Sequence, residues 1–405
     1  MSVVVRAITE AEIPKFARTD AIGFGESIAY ADHNKRWIAD ELDRTACAFD
    51  GDELVATSRN YSFELTVPGG AQVRAGGVSA VAVLPTHTRK GILRAMMTRL
   101  LEDCVEREEP VAMLTASEGG IYGRFGFGVS TRGASFEIDT RGIAFALPRP
   151  GGRMRLVDLD DARKLEPEAY ERMRVAYPGA LSRSEAWWSD QQYDHDLGTR
   201  FDAVYEGSDG SLDGFVCYEM KPHWSVSNAA HVVNVIDFVA VTPDATHSLW
   251  RFLAEIDLVQ TVRAFLRVPL DSPLPWLLKS PRGVKVRGIN DFVWTRVLDV
   301  PAALGARRYA VDGTLALEID DPFRPSGAAA GTFTLDGGPD GATVAVGSTA
   351  DLACDVSVLS TAWLGGVRWS ELAAGGRVEE RTPGAVARAD AMFASSPLPF
   401  PFTDF

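Results

Sequence analysis

Val81-Ala82-Val83-Leu84-Pro85-Thr86-His87-Thr88-Arg89-Lys90-Gly91-Ile92-Leu93-Arg94 and, after a helix-length interval, Val111-Ala112-Met113-Leu114-Thr115-Ala116-Ser117-Glu118-Gly119-Gly120-Ile121-Tyr122-Gly123-Arg124-Phe125-Gly126-Phe127 decide the reading of this 405-residue chain. An apolar run ends at a proline and passes through a basic turn. Ile92, Ala95, Met96, Arg99 and Leu100 then fall at helical spacing, up to Arg107. Val111 to Thr115 reads as a second strand and runs into a glycine-rich turn carrying a tyrosine. Gly91 stands where the orphan amides of a helix start can face an anion. This order of elements can hold a phosphorylated cofactor at one end and supply an acid at the other.

Upstream, Val3 to Ile8 has strand composition and Glu12 to Ala21 has a helical pattern. Leu54 to Val67 and Gln72 to Val83 read as an antiparallel pair joined at Pro68-Gly69-Gly70, where the glycines supply turn geometry. The N-terminal part is therefore mixed α/β.

With 46% apolar and 24% charged residues the chain has an ordinary globular composition and room for roughly two to four domains. Cys47, Cys104, Cys217 and Cys354 are far apart, so no metal knuckle or redox pair is written in them. The six histidines, His33, His87, His195, His223, His231 and His247, show no metal spacing either, and the expected metal complement is none. A reduced, cytoplasmic protein is the simplest expectation. The first residues are too short an apolar run for a signal peptide, and no stretch of about 18 apolar residues would span a bilayer. The net charge of -14 argues against nucleic acid and favours cationic small molecules as partners.

Arg89-Lys90-Gly91-Ile92-Leu93-Arg94 at a helix start resembles the pyrophosphate loop of the GNAT acetyltransferases, with Thr88 and Leu93 departing from that loop's usual first and last residues. Tyr122-Gly123-Arg124-Phe125-Gly126-Phe127 matches the superfamily's Tyr-x-x-x-Gly-Phe pattern. Taken alone, an Arg-Lys pair is ordinarily a solvated flank and a glycine-rich turn a packing device; their order and spacing give them meaning. Together with Pro85-Thr86-His87 and Ala116 to Ile121, they resemble the Eis branch, multi-acetylating aminoglycoside N-acetyltransferases associated with antibiotic resistance.

Val239-Ala240-Val241-Thr242-Pro243 echoes Val81 to Pro85. Aligning the prolines sets His247, Ser248 and Leu249 against Arg89, Lys90 and Gly91, so both the charge and the backbone freedom needed around pyrophosphate are gone. Past Trp294 the composition shifts: a helix opens near Leu298, Gly313 to Ile319 alternates as a strand, and Gly327 to Gly331 is a small-residue loop. Cys354 to Ser360, Trp363 to Gly366 and Gly375 to Val378 resemble the sterol-carrier-like domain of the Eis group. The expected architecture is α/β (α+β mixed). It comprises a catalytic GNAT domain (1–148), a second GNAT-like domain without a cofactor site (149–293) and a sterol-carrier-protein-like C-terminal domain (294–405).

The resemblance implies acetyl-CoA as cosubstrate. Val81, Ala82 and Val83 would hold its pantetheine arm, Arg89, Lys90, Gly91, Ile92, Leu93 and Arg94 its pyrophosphate, with Ser117 and Glu118 lining the site. Tyr122 would be the proton donor and the C-terminal carboxylate of Phe405 the proton acceptor. The end of the chain, Pro397-Leu398-Pro399-Phe400-Pro401-Phe402-Thr403-Asp404-Phe405, is too rich in prolines and aromatics to fray, and is expected to dock. Phe24, Glu26, Trp37 and Asp404 are candidate acceptor contacts, since aromatics and carboxylates suit a polycationic amine. A homo-hexamer is implied as well. Two other functions remain compatible with these residues: acetylation of protein lysines or metabolite amines, and non-catalytic carriage of an acyl-CoA or lipid.

Overall fold

The computed structural model describes residues 3–27, 40–193, 200–224 and 228–405. The first of three sheets has seven strands, in the order Val3–Arg6, Cys47–Asp50, Glu53–Thr66, Gln72–Val83, Val111–Thr115, Val293–Val297 and Gly128–Val129. Gly69 and Gly70 take φ of 99° and 86° in the turn of its long hairpin, a conformation a β-carbon would strain. The expected hairpin forms with Thr66 opposite Gln72. Helix Ile92–Glu106 follows it and buries Met96, Met97, Leu100, Leu101 and Cys104, the stripe that its apolar spacing encodes.

The second sheet also has seven strands: Val284–Asp291, Arg132–Asp139, Val259–Pro269, His231–Ala240, Leu212–Lys221, Arg200–Glu206 and Arg153–Val157. The two units exchange strands. Arg132–Asp139 leaves the N-terminal segment to pair with Val259–Pro269 and Val284–Asp291. Val293–Val297 returns to lie between Val111–Thr115 and Gly128–Val129. Linear cuts at 148 and 293 therefore do not separate the sheets: a strand from 1–148 completes the second sheet, and the strand that completes the first straddles the cut at 293.

A five-stranded sheet, Gly341–Val346, Gly331–Gly338, Gly313–Asp320, Leu352–Asp355 and Glu379–Glu380, organises the third unit. Its helix Val356–Trp363 packs on Val293–Val297 and closes one core that runs from Phe63 and Met113 to Trp363 and Phe393. Arg296, fully buried, donates through Nε to the Phe125 carbonyl (2.8 Å) and through Nη2 to Asp321 (2.5 Å), so the tyrosine-bearing turn, the returned strand and the third unit meet on one guanidinium. Gly126 and Gly128 follow from that junction. A β-carbon at Gly126 would lie 2.5 Å from Arg296 Nε, and one at Gly128 would lie 2.0 Å from the Ser357 carbonyl oxygen.

Removing one partner of a buried pair leaves an uncompensated charge. Asp321→Ala is expected to cost about 3–5 kcal/mol in denaturant unfolding; an unchanged midpoint would show that the pair does not hold the junction.

Candidate active site

The strands Gln72–Val83 and Val111–Thr115 pair in parallel from Ala75 opposite Val111 to Val78 opposite Leu114, and no further. Just past that point the first of them bulges: Ser79 lies opposite Arg59 and Ala82 opposite Thr57, with Ala80 at φ 51°. Bulge and lost pairing together splay the two strands and open a groove of about 840 Å³.

One end of the groove is the basic turn. Pro85–His87 makes a short 3-10 turn, Arg89 and Gly91 take φ of 61° and 80°, and the helix begins at Ile92 without a side-chain cap. Positive φ at Arg89 and Gly91 turns nearby amides to one side, and the helix start without a side-chain cap leaves its own amides open, which makes an anion seat. Arg89, Gly91, Ile92, Leu93 and Arg94 line it, as do Val81, Ala82, Val83, Ser117 and Glu118 further along. Lys90 is exposed beside the groove rather than lining it. His87, which the motif reading left unassigned, lines the groove too, its ring held by Thr86 (2.8 Å) and Asp50 (3.4 Å).

Tyr122 opens a 3-10 turn, Tyr122–Phe125, closed by Gly126 at φ 87°. It lies at the groove wall, buried against Phe127. Burial raises its hydroxyl above the ordinary tyrosine value, Ser117 partly offsets this by hydrogen bonding, and the charge of Glu118 adds to the rise. The phenol therefore keeps its proton at neutral pH. It is equipped to donate a hydrogen bond, while complete loss of its proton becomes harder than for a free tyrosine.

A smaller pocket of about 180 Å³ opens beside Phe405, between Asp40, Glu41, Tyr61, Ser62, Phe63, Ser184 and Trp187. The Phe405 ring packs on Phe63 at 4.8 Å and approaches Gly77, where a β-carbon would lie 3.0 Å from it. Its main-chain oxygen accepts from Thr115 Oγ1 at 3.0 Å, two residues before Ser117 of the groove. Glu41, at φ 52°, is held by the Ser62 amide (3.0 Å) and hydroxyl. The buried Arg44 bonds the same hydroxyl, but it is also paired with Glu109 (2.6 Å) and Asp103 (3.1 Å). The pocket is thus aromatic and acidic, a surface suited to a cation.

The acceptor contacts expected from sequence fare unevenly. Phe24 lines the large groove instead of the pocket, and Glu26 is exposed at the end of the same helix. Asp404 does not line this pocket: its carboxylate pairs with Arg267 at 3.1 Å and its carbonyl accepts from Trp187 Nε1 at 3.2 Å. Trp37 lies outside the described residues. Asp40, Glu41 and Trp187 were missed because they come from segments without a motif; the one available signal was their mix of acids and aromatics.

The echo at Val239 forms no second seat. Helix Pro243–Ala254 starts at the proline itself, Thr242 caps the Ala245 amide at 3.2 Å, and His247 and Ser248 are buried in the helix body. The turn that precedes the helix in the first unit is absent, and with it the open amides.

Groove, anion seat and tyrosine-bearing turn on this sheet define an acyltransferase of the GNAT type. Family models for the GNAT acetyltransferase domain match residues 4–130 and 179–297, and a sterol carrier protein model matches 300–401. The chain is 40% identical to an uncharacterised N-acetyltransferase of Streptomyces avermitilis, over 98% of this chain and 97% of that one. It is 34% identical to the N-acetyltransferase Eis of Mycobacterium tuberculosis, over 85% and 84%. The crystal structure of Eis1 from Mycobacterium abscessus superposes over all of both chains with a TM-score of 0.88 at 32% identity. The chain belongs to the Eis family of N-acetyltransferases.

Behind the groove wall, Asp20 sits on helix Ile13–Phe24, whose Gly23 packs on Ala82, and accepts from Thr57 Oγ1 at 3.2 Å. Burial raises its carboxyl to about 6, against the bond from Thr57. The native state then binds more protons than the unfolded chain between about pH 4 and 6, so the stability this site allows falls as pH rises through that window. Asp20→Asn is expected to unfold later than wild type at pH 8, by on the order of 2 kcal/mol, and not at pH 4; an equal gain at both would remove the titration as its cause.

Proposed function

We propose that the chain transfers the acetyl group of acetyl-CoA to amines of multiply cationic acceptors, aminoglycosides or similar polyamines, and that Tyr122 and the Phe405 carboxylate carry the proton work. The residues fit the donor. The open amides between Arg89 and Leu93, with Arg89 and Arg94 beside them, suit a pyrophosphate. The unpaired strand edge beyond Val78 offers backbone groups to an extended amide-bearing arm. When bound, the donor supplies an activated thioester carbonyl.

One observation carries the reading: Phe405 is pinned to Thr115 in an acidic aromatic pocket, two residues along the chain from the groove that Tyr122 lines. A terminal carboxylate near 3.5 is a weak base toward an ammonium near 10, so Phe405, with Glu41 and Asp40, first holds the cation electrostatically and orients it. Proton removal from the ammonium is relayed through water to the Phe405 carboxylate. Tyr122 donates from its hydroxyl to the leaving sulfur. Full transfer to a thiolate is uphill by about 2 kcal/mol even for an unperturbed phenol, and more here, so hydrogen bonding is the role that fits its raised value. Exposed Phe265, Val286 and Ile289 on the second sheet support the assembly of several copies as part of the same reading.

Tyr122→Phe is expected to lower kcat about 100-fold while KM for acetyl-CoA changes little. Equal loss of turnover and of donor binding would end its assignment as the donor of the hydrogen bond. A short tag appended after Phe405 should suppress activity by displacing the carboxylate, and unchanged kinetics would remove that group from the mechanism. Glu41→Gln should raise KM for tricationic amines more than for monoamines; a uniform change would mean that the pocket does not read charge.

A further inference from the structure

The second unit repeats the splay of the first. Its strands His231–Ala240 and Val259–Pro269 pair in parallel from His231 to Val235 and then part. A bulge falls at the same place, with Val235 opposite Tyr218 but Asp237 opposite Cys217. In the first unit the opening is a groove; in the second it is filled. Arg183, Asp237, Arg267, Phe402 and Asp404 leave there a residual space of only about 20 Å³, room for about one water.

The filling is the chain's own end. The Phe400 amide donates to the Pro178 carbonyl at 2.9 Å, and the Leu181 amide to Pro401 at 3.4 Å. Arg183 is the centre of the arrangement. Its guanidinium donates to the Phe402 carbonyl (2.7 Å), to Thr403 Oγ1 (3.0 Å) and to Asp237 (2.6 Å). It is stacked on Tyr170 and Trp187 at 3.7 and 4.0 Å. Its side chain is 1% exposed. Next to it, Tyr170 bonds Thr403 at 2.8 Å, and Trp187 and Arg267 hold Asp404. The segment that carries Arg183 is itself tied to the first unit, through Ala180 to Thr66 (3.0 Å) and Ser182 to Glu64 (2.9 Å). Every residue from Phe400 to Asp404 is thus held by the second unit, and only Phe405 reaches the pocket of the first.

We propose that the splayed cleft of the second unit is a receptor for the chain's own end, and that Arg183 is a positioning residue for the acetyl transfer, fixing the Phe405 carboxylate through Phe402 and Thr403. An apolar tail could dock by burial of its aromatics alone. A fully desolvated cation is an expensive way to add stability, and what it adds here is geometry: three directed bonds to two successive tail residues and to a fixed carboxylate. The proposal rests on the reading of the Phe405 carboxylate as an active group.

The test is a cycle between Arg183→Gln and a chain truncated after Phe402, with folding checked by circular dichroism and thermal melting. In the full chain Arg183→Gln should lower kcat roughly 100-fold, the cost of misplacing a reacting group by about 1 Å, with KM for acetyl-CoA unchanged. In the truncated chain it should have almost no further effect. Equal losses in both chains would overturn the positioning role and make Arg183 merely structural. Truncation that leaves kcat unchanged would instead overturn the role of the carboxylate, and the proposal with it. Should Arg183→Gln fail to fold, Arg267→Gln, which would remove the pair with Asp404, replaces it in the same cycle; a folded variant with wild-type kcat would contradict the receptor.

Discussion

Beyond Val78 the strand Gln72–Val83 keeps its antiparallel neighbour and loses its parallel one. Backbone N–H and C=O groups at such a break require partners, and the proposed site depends on how they are met. In the first unit the break is left open to a ligand and is flanked by a turn whose positive-φ residues gather amides for an anion. In the second unit the same break is closed by residues Phe402 to Asp404. One architectural feature thus serves two ends, and the chain end that closes one cleft projects its last residue into the site beside the other.

In the proposed reading, that arrangement draws all three units into one site. The third unit supplies the chain end and buttresses the tyrosine-bearing turn through Arg296, Phe125 and Asp321. The second unit holds the chain end, and the exchanged strands Arg132–Asp139 and Val293–Val297 keep the two sheets in fixed relation. The geometry proposed for the site is therefore a property of the whole chain. The electrostatics divide accordingly, with basic groups at the groove's anion seat and acidic ones, Asp40 and Glu41, at the pocket.

Much of this was legible in the residues. The hairpin turn at Pro68-Gly69-Gly70, the helix from Ile92 and the strand Val111–Thr115 are written in turn chemistry and periodicity, and they formed as read. The loss of the second anion seat was also legible, since the residues aligned with Arg89 to Gly91 lack both charge and glycine. Strand exchange was not, because a strand's composition records how buried it is and not which sheet buries it. Nor was the pocket: Asp40, Glu41 and Trp187 meet only after the fold brings four segments together, 40–41, 61–63, 184–187 and Phe405. Asp404 was read for its charge, but the deciding fact was the presence of Arg267, remote in sequence.

In the proposed reading one site, in the first unit, passes acetyl groups to cationic amines. Thiol release from acetyl-CoA, measured across aminoglycosides, linear polyamines, lysine peptides and neutral amines, tests it most directly. Turnover is expected to rise with the number of positive charges on the acceptor. Release that is equal for neutral and polycationic amines, or absent with all of them, would contradict it.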